Sequence, residues 1–202
     1  MAGKQIKIAI SGKARAGKNS VAEMVVKHSN MAPEQCKIVA LADPMKHIIK
    51  AMFPEANNEC LFGQSELRST VISSKYKDRN NNPLTHRQAL IDLGAFGRQY
   101  NSNIWINCLV EDANINKDKL IYIIPDVRFI NEYTYLKDAT FHMIRVKRPE
   151  YTNIDDISEK EQDKILDADF DSIIENNGSL DDLSNTVKSL VKTICANKSE
   201  YL

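Results

Sequence analysis

Residues 6–20 read Ile6-Lys7-Ile8-Ala9-Ile10-Ser11-Gly12-Lys13-Ala14-Arg15-Ala16-Gly17-Lys18-Asn19-Ser20. The first five are rich in β-branched residues, which predicts a strand that stops at Ser11-Gly12. From about residue 17 to 29, Val21, Met24, Val25 and His28 share one side, which predicts a helix. The connection between them is GxxxxGK, and a strand before it and a helix after it make that pattern a phosphate loop. A triphosphate crowds several negative charges together. Backbone N–H groups surround it only where side chains leave room, hence Gly12 and Gly17, with the small Ala14 and Ala16 between them. The helix N-terminus adds partial positive charge, and Lys18 supplies a point charge for the β/γ-phosphates. The loop therefore calls for ATP.

The residue after Lys18 departs from the common pattern. A Ser or Thr usually ligates Mg²⁺ there, whereas this chain has Asn19 followed by Ser20. Either the Asn19 carbonyl or the Ser20 hydroxyl would serve the metal, and the sequence does not choose between them. GK-x-[ST] is also the arrangement in nucleoside monophosphate kinases such as adenylate kinase. The departure favours a small-molecule kinase over a GTPase or motor ATPase.

Outward from the loop, strands and helices alternate. Strands are predicted at 36–41, 120–124, 142–146 and 171–175. Helices are predicted from Pro44 past Met52, over about 85–99, 103–114 and 130–137, and from an N-cap at Ser179 to the end. Residues 54–83 read as polar and irregular, with a loop at Asn80-Asn81-Asn82-Pro83. Residues 149–169 read as a mobile, lid-like surface segment, its Lys/Glu run at 159–164 a solvated helix face. Leu120-Ile121-Tyr122-Ile123-Ile124 is a continuous apolar run of the kind covered on both faces. The alternation predicts an α/β fold: one P-loop domain over 1–202 with a mainly parallel sheet and helices on both faces. A substrate-binding insertion is expected over about 54–115.

Composition narrows the class. Of 202 residues, 43% are hydrophobic and 27% charged, as in a folded globular chain. Lys+Arg and Asp+Glu are equal at 27 each, which argues against a nucleic-acid binder held by an overall positive field. Cys36, Cys60, Cys108 and Cys195 are far apart, which reads as reduced, mostly buried cytoplasmic thiols rather than a metal site or disulfide frame. No apolar run approaches a membrane span, and the start of the chain does not read as a signal peptide.

Three further clusters carry candidate chemistry. Asp126 ends the apolar strand beside the phosphate loop and resembles a Walker B acid that holds Mg²⁺; Arg128 follows it. Asp43 and Lys46 lie at a strand end, where ligands bind in open α/β sheets. Arg87, Gln88 and Arg98 are polar heads on an otherwise apolar helical stretch, and a guanidinium grips phosphate in a planar fork. Arg68 belongs to the same candidate acceptor set. Trp105 reads as core packing first and as a base-stacking platform second. The four histidines show no ligand spacing.

In order, GKARAGKNSVAEMV, LADPMK, HRQALIDLGAFGRQYNSNIWI, DVRFINE, IRVKRP and DSIIENNGSLDDL resemble the bacteriophage-type deoxynucleoside monophosphate kinases of the P-loop nucleoside monophosphate kinase superfamily. The resemblance spans about residues 5–192. It implies a five-stranded parallel sheet with a substrate insertion and a lid, and transfer of a phosphoryl group from ATP to a deoxynucleoside monophosphate. It places ATP and Mg²⁺ at Gly12, Gly17, Lys18 and the Asn19/Ser20 pair. The acceptor falls to Asp43, Lys46, Arg87, Arg98 and Arg128, ATP also meets Arg148, and adenine lies near Asn177 and Gly178. It implies a cytoplasmic enzyme, in the host cell for a phage protein, with no nucleic-acid or membrane partner. Monomer and homodimer stay open. So do two other readings: a kinase of dephospho-coenzyme A or phosphomevalonate type, and a nucleotide-binding protein without transfer activity.

Overall fold

The computed structural model describes residues 5–116, 118–149 and 161–199. Strands β1 (Ile6–Ser11), β2 (Cys36–Ile38), β3 (Ile121–Val127), β4 (His142–Lys147) and β5 (Ser172–Glu175) form one sheet in the order β2-β3-β1-β4-β5. Every neighbouring pair is parallel. Among the described residues the helices are α1 (Lys18–His28), α2 (Asp43–Met52), α3 (Asn58–Phe62), α4 (His86–Tyr100), α5 (Ile104–Ile115), α6 (Ile130–Asp138) and α7 (Leu180–Ser199). This is the α/β architecture that the phosphate loop announced.

The chain divides into two compact units. One runs up to Ala40 and resumes at Val110; the other is Leu41–Leu109. In the first, Ile8, Ile10, Ile123, Ile144 and Ile174 form one sheet face. They pack with Val21, Ala22 and Val25 of α1 and Leu183, Val187 and Val191 of α7. Burial of these branched side chains supplies the main driving force for the layer. On the other face Tyr122 is fully buried and its hydroxyl donates to Asp112 of α5 at 2.7 Å. In the second unit, Ile49, Ala56, Leu61, Ile72, Leu84 and Ala89 make a separate small core. His86 is 1% exposed; its Nε2 accepts from the Asn57 N–H at 3.0 Å and its Nδ1 meets the Thr70 carbonyl at 2.8 Å. That histidine is structural.

Several expectations are corrected. Strand β2 ends at Ile38, three residues early, though the Val39 N–H still bonds to the Ile123 carbonyl. Strand β3 runs through Pro125 and Asp126 to Val127 instead of stopping before them. A central strand tolerates that proline because the ladder to β1 slips: Ala9 pairs with Ile124 but Ser11 with Val127. The bulge puts Pro125, which has no N–H to donate, where the ladder is already interrupted. The stretch 54–83 is more ordered than its composition suggested, holding α3 and a 3-10 turn at Ser65–Ser69. Asn57 caps α3 by accepting the Glu59 N–H at 2.8 Å. Of the four thiols only Cys60 is buried, and Cys108 is exposed.

The lid-like segment divides. Residues 150–160 lie outside the described residues. Residues 161–169 are pinned rather than loose: Arg145 donates to the carbonyls of Gln162 and Ile165 and to Asp167 at 2.8, 2.9 and 2.8 Å. Its guanidinium also lies over the Phe170 ring, 4.4 Å from the centroid. Sparse apolar content hid this anchor because a polar side chain makes it. Among the described residues no helix is long and apolar enough to cross a membrane.

Candidate active site

The phosphate loop is strained in the manner its task requires. Gly12 has φ 155 and Gly17 φ 99, while Arg15 takes the left-handed region at φ 61. A Cβ on Gly12 would lie 2.4 Å from the Val146 carbonyl oxygen, and one on Gly17 would lie 2.6 Å from Asn176 Nδ2. Glycine is therefore demanded twice, by backbone angle and by close packing. Gly17 caps α1 without any side-chain hydrogen bond, and the first turn has no acid. A helix start whose cap residue has no side chain is the kind of terminus at which anions bind. Lys18 folds inward, its Nζ donating to the carbonyls of Gly12 and of Lys13, the latter at 2.8 Å. The ammonium thus stands within the ring of backbone that would surround a phosphate.

Asn176 supports this loop from β5's end. It is 8% exposed, its Nδ2 donates to the Ala16 carbonyl at 2.9 Å, and its N–H bonds to the Lys147 carbonyl at 2.7 Å. The sequence reading singled out Asn177 and Gly178 and missed this neighbour. Both of those are exposed, and Gly178 abuts Asp182. On α1, Asn19 is exposed and Ser20 half-buried.

The bulge sets Asp126 beside the end of β1, where the phosphate loop begins. Glu132, four residues beyond Arg128, reaches back to accept the Arg128 and Phe129 N–H groups at 2.8 and 3.0 Å. Burial pushes its carboxyl up to about 7, with Asp126 adding to the rise, while the two backbone donors and Arg128 oppose it. The folded value exceeds the ordinary 4.5. The folded chain therefore binds this proton more tightly than the unfolded chain. The resulting stability is complete below pH 4.5 and is lost as pH rises through about 7. The displacement corresponds to on the order of 3 kcal/mol. In ligand-free protein, Glu132→Gln should flatten that part of the stability curve between pH 4.5 and 7.5, measured by denaturant unfolding against wild type. Parallel curves would show that Glu132 does not titrate in this window.

A cavity of about 400 Å³ opens next to the loop, lined by Gly12, Lys13, Arg145, Lys147, Arg148, Gln162 and Asp167 among others. Arg148 thus borders the loop's own rim.

The second unit carries most of the acceptor candidates. Lys46 is 4% exposed and pairs with Asp43 at 2.7 Å, with its Nζ 5.4 Å from the Phe62 ring centroid. Removing Asp43 would leave a buried ammonium without its partner, so its loss has a structural cost besides any chemical one. Arg87 donates to the Ser65 carbonyl at 3.0 Å, and Gln88 to Asp92 at 3.1 Å. Arg68 is half-buried. Arg98 is exposed, has no ion-pair partner among the described residues, and lies back over Gly94, where a Cβ would come 3.4 Å from both its terminal nitrogens. Trp105 is 7% exposed, its indole N–H donates to the Gly94 carbonyl at 3.2 Å, and its ring abuts Gly97. It is a packing residue in this unit, as its first reading had it, and the platform reading is given up. Gly94 and Gly97 are thus explained by what packs on α4.

A parallel five-stranded sheet, a phosphate loop with its lysine in place, and an acid at the adjacent strand end define a P-loop kinase-like domain. Residues 10–142 match the family model described as phosphomevalonate kinase. The chain belongs to that family, a family of ATP-dependent phosphotransferases acting on small molecules. A comparison with curated proteins finds no match.

Proposed function

We propose that the chain transfers the γ-phosphoryl group of ATP to a deoxynucleoside 5′-monophosphate, giving ADP and the diphosphate. The observation that carries the donor half is Lys18 held at the centre of an uncapped phosphate loop. The acceptor half is supported by the resemblance to phage-type kinases, which continues beyond residue 142 through IRVKRP and DSIIENNGSLDDL. A second reading, phosphomevalonate as acceptor, is favoured by the name of the family whose model matches. Both acceptors present a phosphate group, so the two readings share one chemistry. A coupled ADP-release assay with the four deoxynucleoside monophosphates, their ribonucleotide counterparts and phosphomevalonate separates them. We expect at least one deoxynucleotide to exceed phosphomevalonate tenfold in kcat/KM. The reverse order moves the assignment to phosphomevalonate, and no acceptor-dependent ADP release overturns transfer altogether.

An acceptor phosphate oxygen is already ionised near neutral pH, and phosphoryl transfer passes through a loose transition state. A strong general base is unnecessary, and positioning with charge neutralisation does the catalytic work. Lys18 supplies a fixed positive charge. Asp43, clamped by Lys46, acts as an organiser of substrate instead of a base, and Arg98, Arg87 and Arg128 supply guanidinium groups for phosphate.

Among the described residues no group of three or more His, Cys, Asp or Glu could hold a metal alone. That sparse set suits Mg²⁺, which in kinases takes one or two protein oxygens and completes its shell with phosphate and water. Asp126, with Ser20 or Asn19, would hold it. Bound Mg²⁺ would neutralise charge between the phosphates. Asp126→Asn is expected to raise the magnesium requirement and lower turnover at limiting Mg²⁺, with little change in melting temperature. Unchanged turnover across a magnesium titration would make Asp126 a strand-end cap.

Asn176 gives a sharper test of the loop. Asn176→Asp keeps the shape but replaces an N–H donor by a carboxylate facing the Ala16 carbonyl. The KM for ATP should rise roughly tenfold, with the acceptor KM unchanged. It should recover as pH falls, because a protonated carboxyl can donate again. A pH-independent defect would mean that Asn176 only fills space.

A further inference from the structure

The two residues between β3 and α6 are held by one carboxyl oxygen. Glu132, the third residue of α6, turns back along the chain. Its Oε2 accepts the Arg128 N–H at 2.8 Å and the Phe129 N–H at 3.0 Å. The N-cap of α6 is Phe129, and a glutamate at the third helical position commonly reaches back to the N–H of its cap residue. Capping therefore accounts for the bond to Phe129. The shorter bond, to Arg128, goes beyond it and fixes the residue before the cap. Burial acts against the carboxyl that makes both bonds, pushing it up to about 7. A fully exposed capping residue carries no such cost.

The span fixed in this way has chemistry on it. Asp126 belongs to β3 and Arg128 follows one residue past its end. A separation of two along an extended chain sends side chains to the same side. Both residues are half-buried, and both act on the Glu132 carboxyl, Asp126 raising its pKa and Arg128 lowering it. Three ionisable groups thus share one corner of the first unit. A guanidinium grips phosphate through a planar fork, which works only when it is aimed. The rotamers open to a side chain depend on the backbone angles beneath it, so a bond that holds the Arg128 N–H restricts where its guanidinium points.

We propose that Glu132 is a positioning residue for phosphoryl transfer: by holding the Arg128 backbone it sets the direction from which the Arg128 guanidinium meets the acceptor phosphate. The reach of the Glu132 side chain, rather than its charge, is the working property. The proposal rests on the kinase reading above, with Arg128 as one of its phosphate ligands, and adds the residue that aims that arginine.

Two variants separate reach from charge. Glu132→Gln keeps an oxygen at the same distance along the side chain and loses the charge. Glu132→Asp keeps the charge and draws the oxygen back by one methylene. Both are assayed by coupled ADP release at saturating ATP, with the most active of the deoxynucleoside monophosphates or phosphomevalonate as acceptor. Glu132→Gln should keep kcat/KM for the acceptor within about threefold of wild type, and Glu132→Asp should lose roughly tenfold. The KM for ATP should stay within about twofold in each. In an Arg128→Ala background Glu132→Asp should cost less than about twofold more, because the side chain it aims is gone. Glu132→Ala carries the same expectations as Glu132→Asp and replaces it should the aspartate variant not fold. A lowered melting temperature with kcat/KM unchanged would make Glu132 a helix cap only and overturn the proposal. So would loss in Glu132→Gln with retention in Glu132→Asp, or an undiminished Glu132→Asp effect in the Arg128→Ala background. Each of these leaves the kinase reading intact. No acceptor-dependent ADP release by wild type overturns both.

Discussion

Lys18→Ala is expected to lower turnover by roughly 10²–10³-fold, on the scale found when one preorganised stabilising group is lost. The loss should fall mainly on kcat. On the proposed reading, the loop's own N–H groups and the N-terminus of α1 remain to bind the donor's phosphates, whereas Lys18 would supply the charge that matters most as the γ-phosphoryl group moves. In the ligand-free protein the same ammonium braces the carbonyls of Gly12 and Lys13. Its removal therefore costs some stability, of the order of 1 kcal/mol per bond. The fold should survive, since α1 is held by Val21, Ala22 and Val25 against the sheet. A melting temperature within a few degrees of wild type, together with the collapse in rate, is the expected pair of results. Near-normal turnover by a folded Lys18→Ala protein would remove the loop from the donor site.

The phosphate-loop geometry of the candidate site was legible in the sequence because its determinants are local. Gly12, Gly17 and Lys18 lie within seven residues, and each is required for a reason that a one-dimensional pattern records: backbone angle, approach distance or charge. The strand–helix alternation was equally plain, since a parallel sheet covered on both faces uses continuous apolar runs such as Ile121–Ile124. What escaped is what depends on residues far apart in the chain. Asn176 braces Ala16 across 160 positions, and nothing in ENNG distinguishes the asparagine that does so from the one after it. Arg145 escaped because its partners, Gln162, Ile165 and Asp167, belong to a stretch too polar to suggest an anchor. Glu132 was quoted within DVRFINE, yet its elevated pKa comes from burial and from Asp126, which sequence spacing alone does not measure. The bulge at Ala9/Ser11 is a matter of ladder register, and it moved Asp126 from after the strand to within it.

Arg98→Lys is expected to damage acceptor use despite keeping the charge. Arg98 stands on the last turn of α4, exposed and with no ion-pair partner among the described residues. Its two terminal nitrogens lie near Gly94, each 3.4 Å from where a Cβ on that residue would stand. A guanidinium is a planar fork able to bind two phosphate oxygens at once, and an ammonium on a flexible stem does not reproduce that geometry. Losing a charge-assisted pair is worth roughly 1.5–3 kcal/mol, or about 10- to 100-fold. The loss should appear in kcat/KM for the phosphate acceptor, whichever of the tested acceptors is used, while the KM for ATP stays within twofold. The contrast with Lys18→Ala is the useful part, because one variant loses charge at the loop and the other loses only shape. Full kcat/KM in Arg98→Lys for every acceptor would return Arg98 to the solvent-exposed surface, and a defect confined to ATP would move it to the donor side.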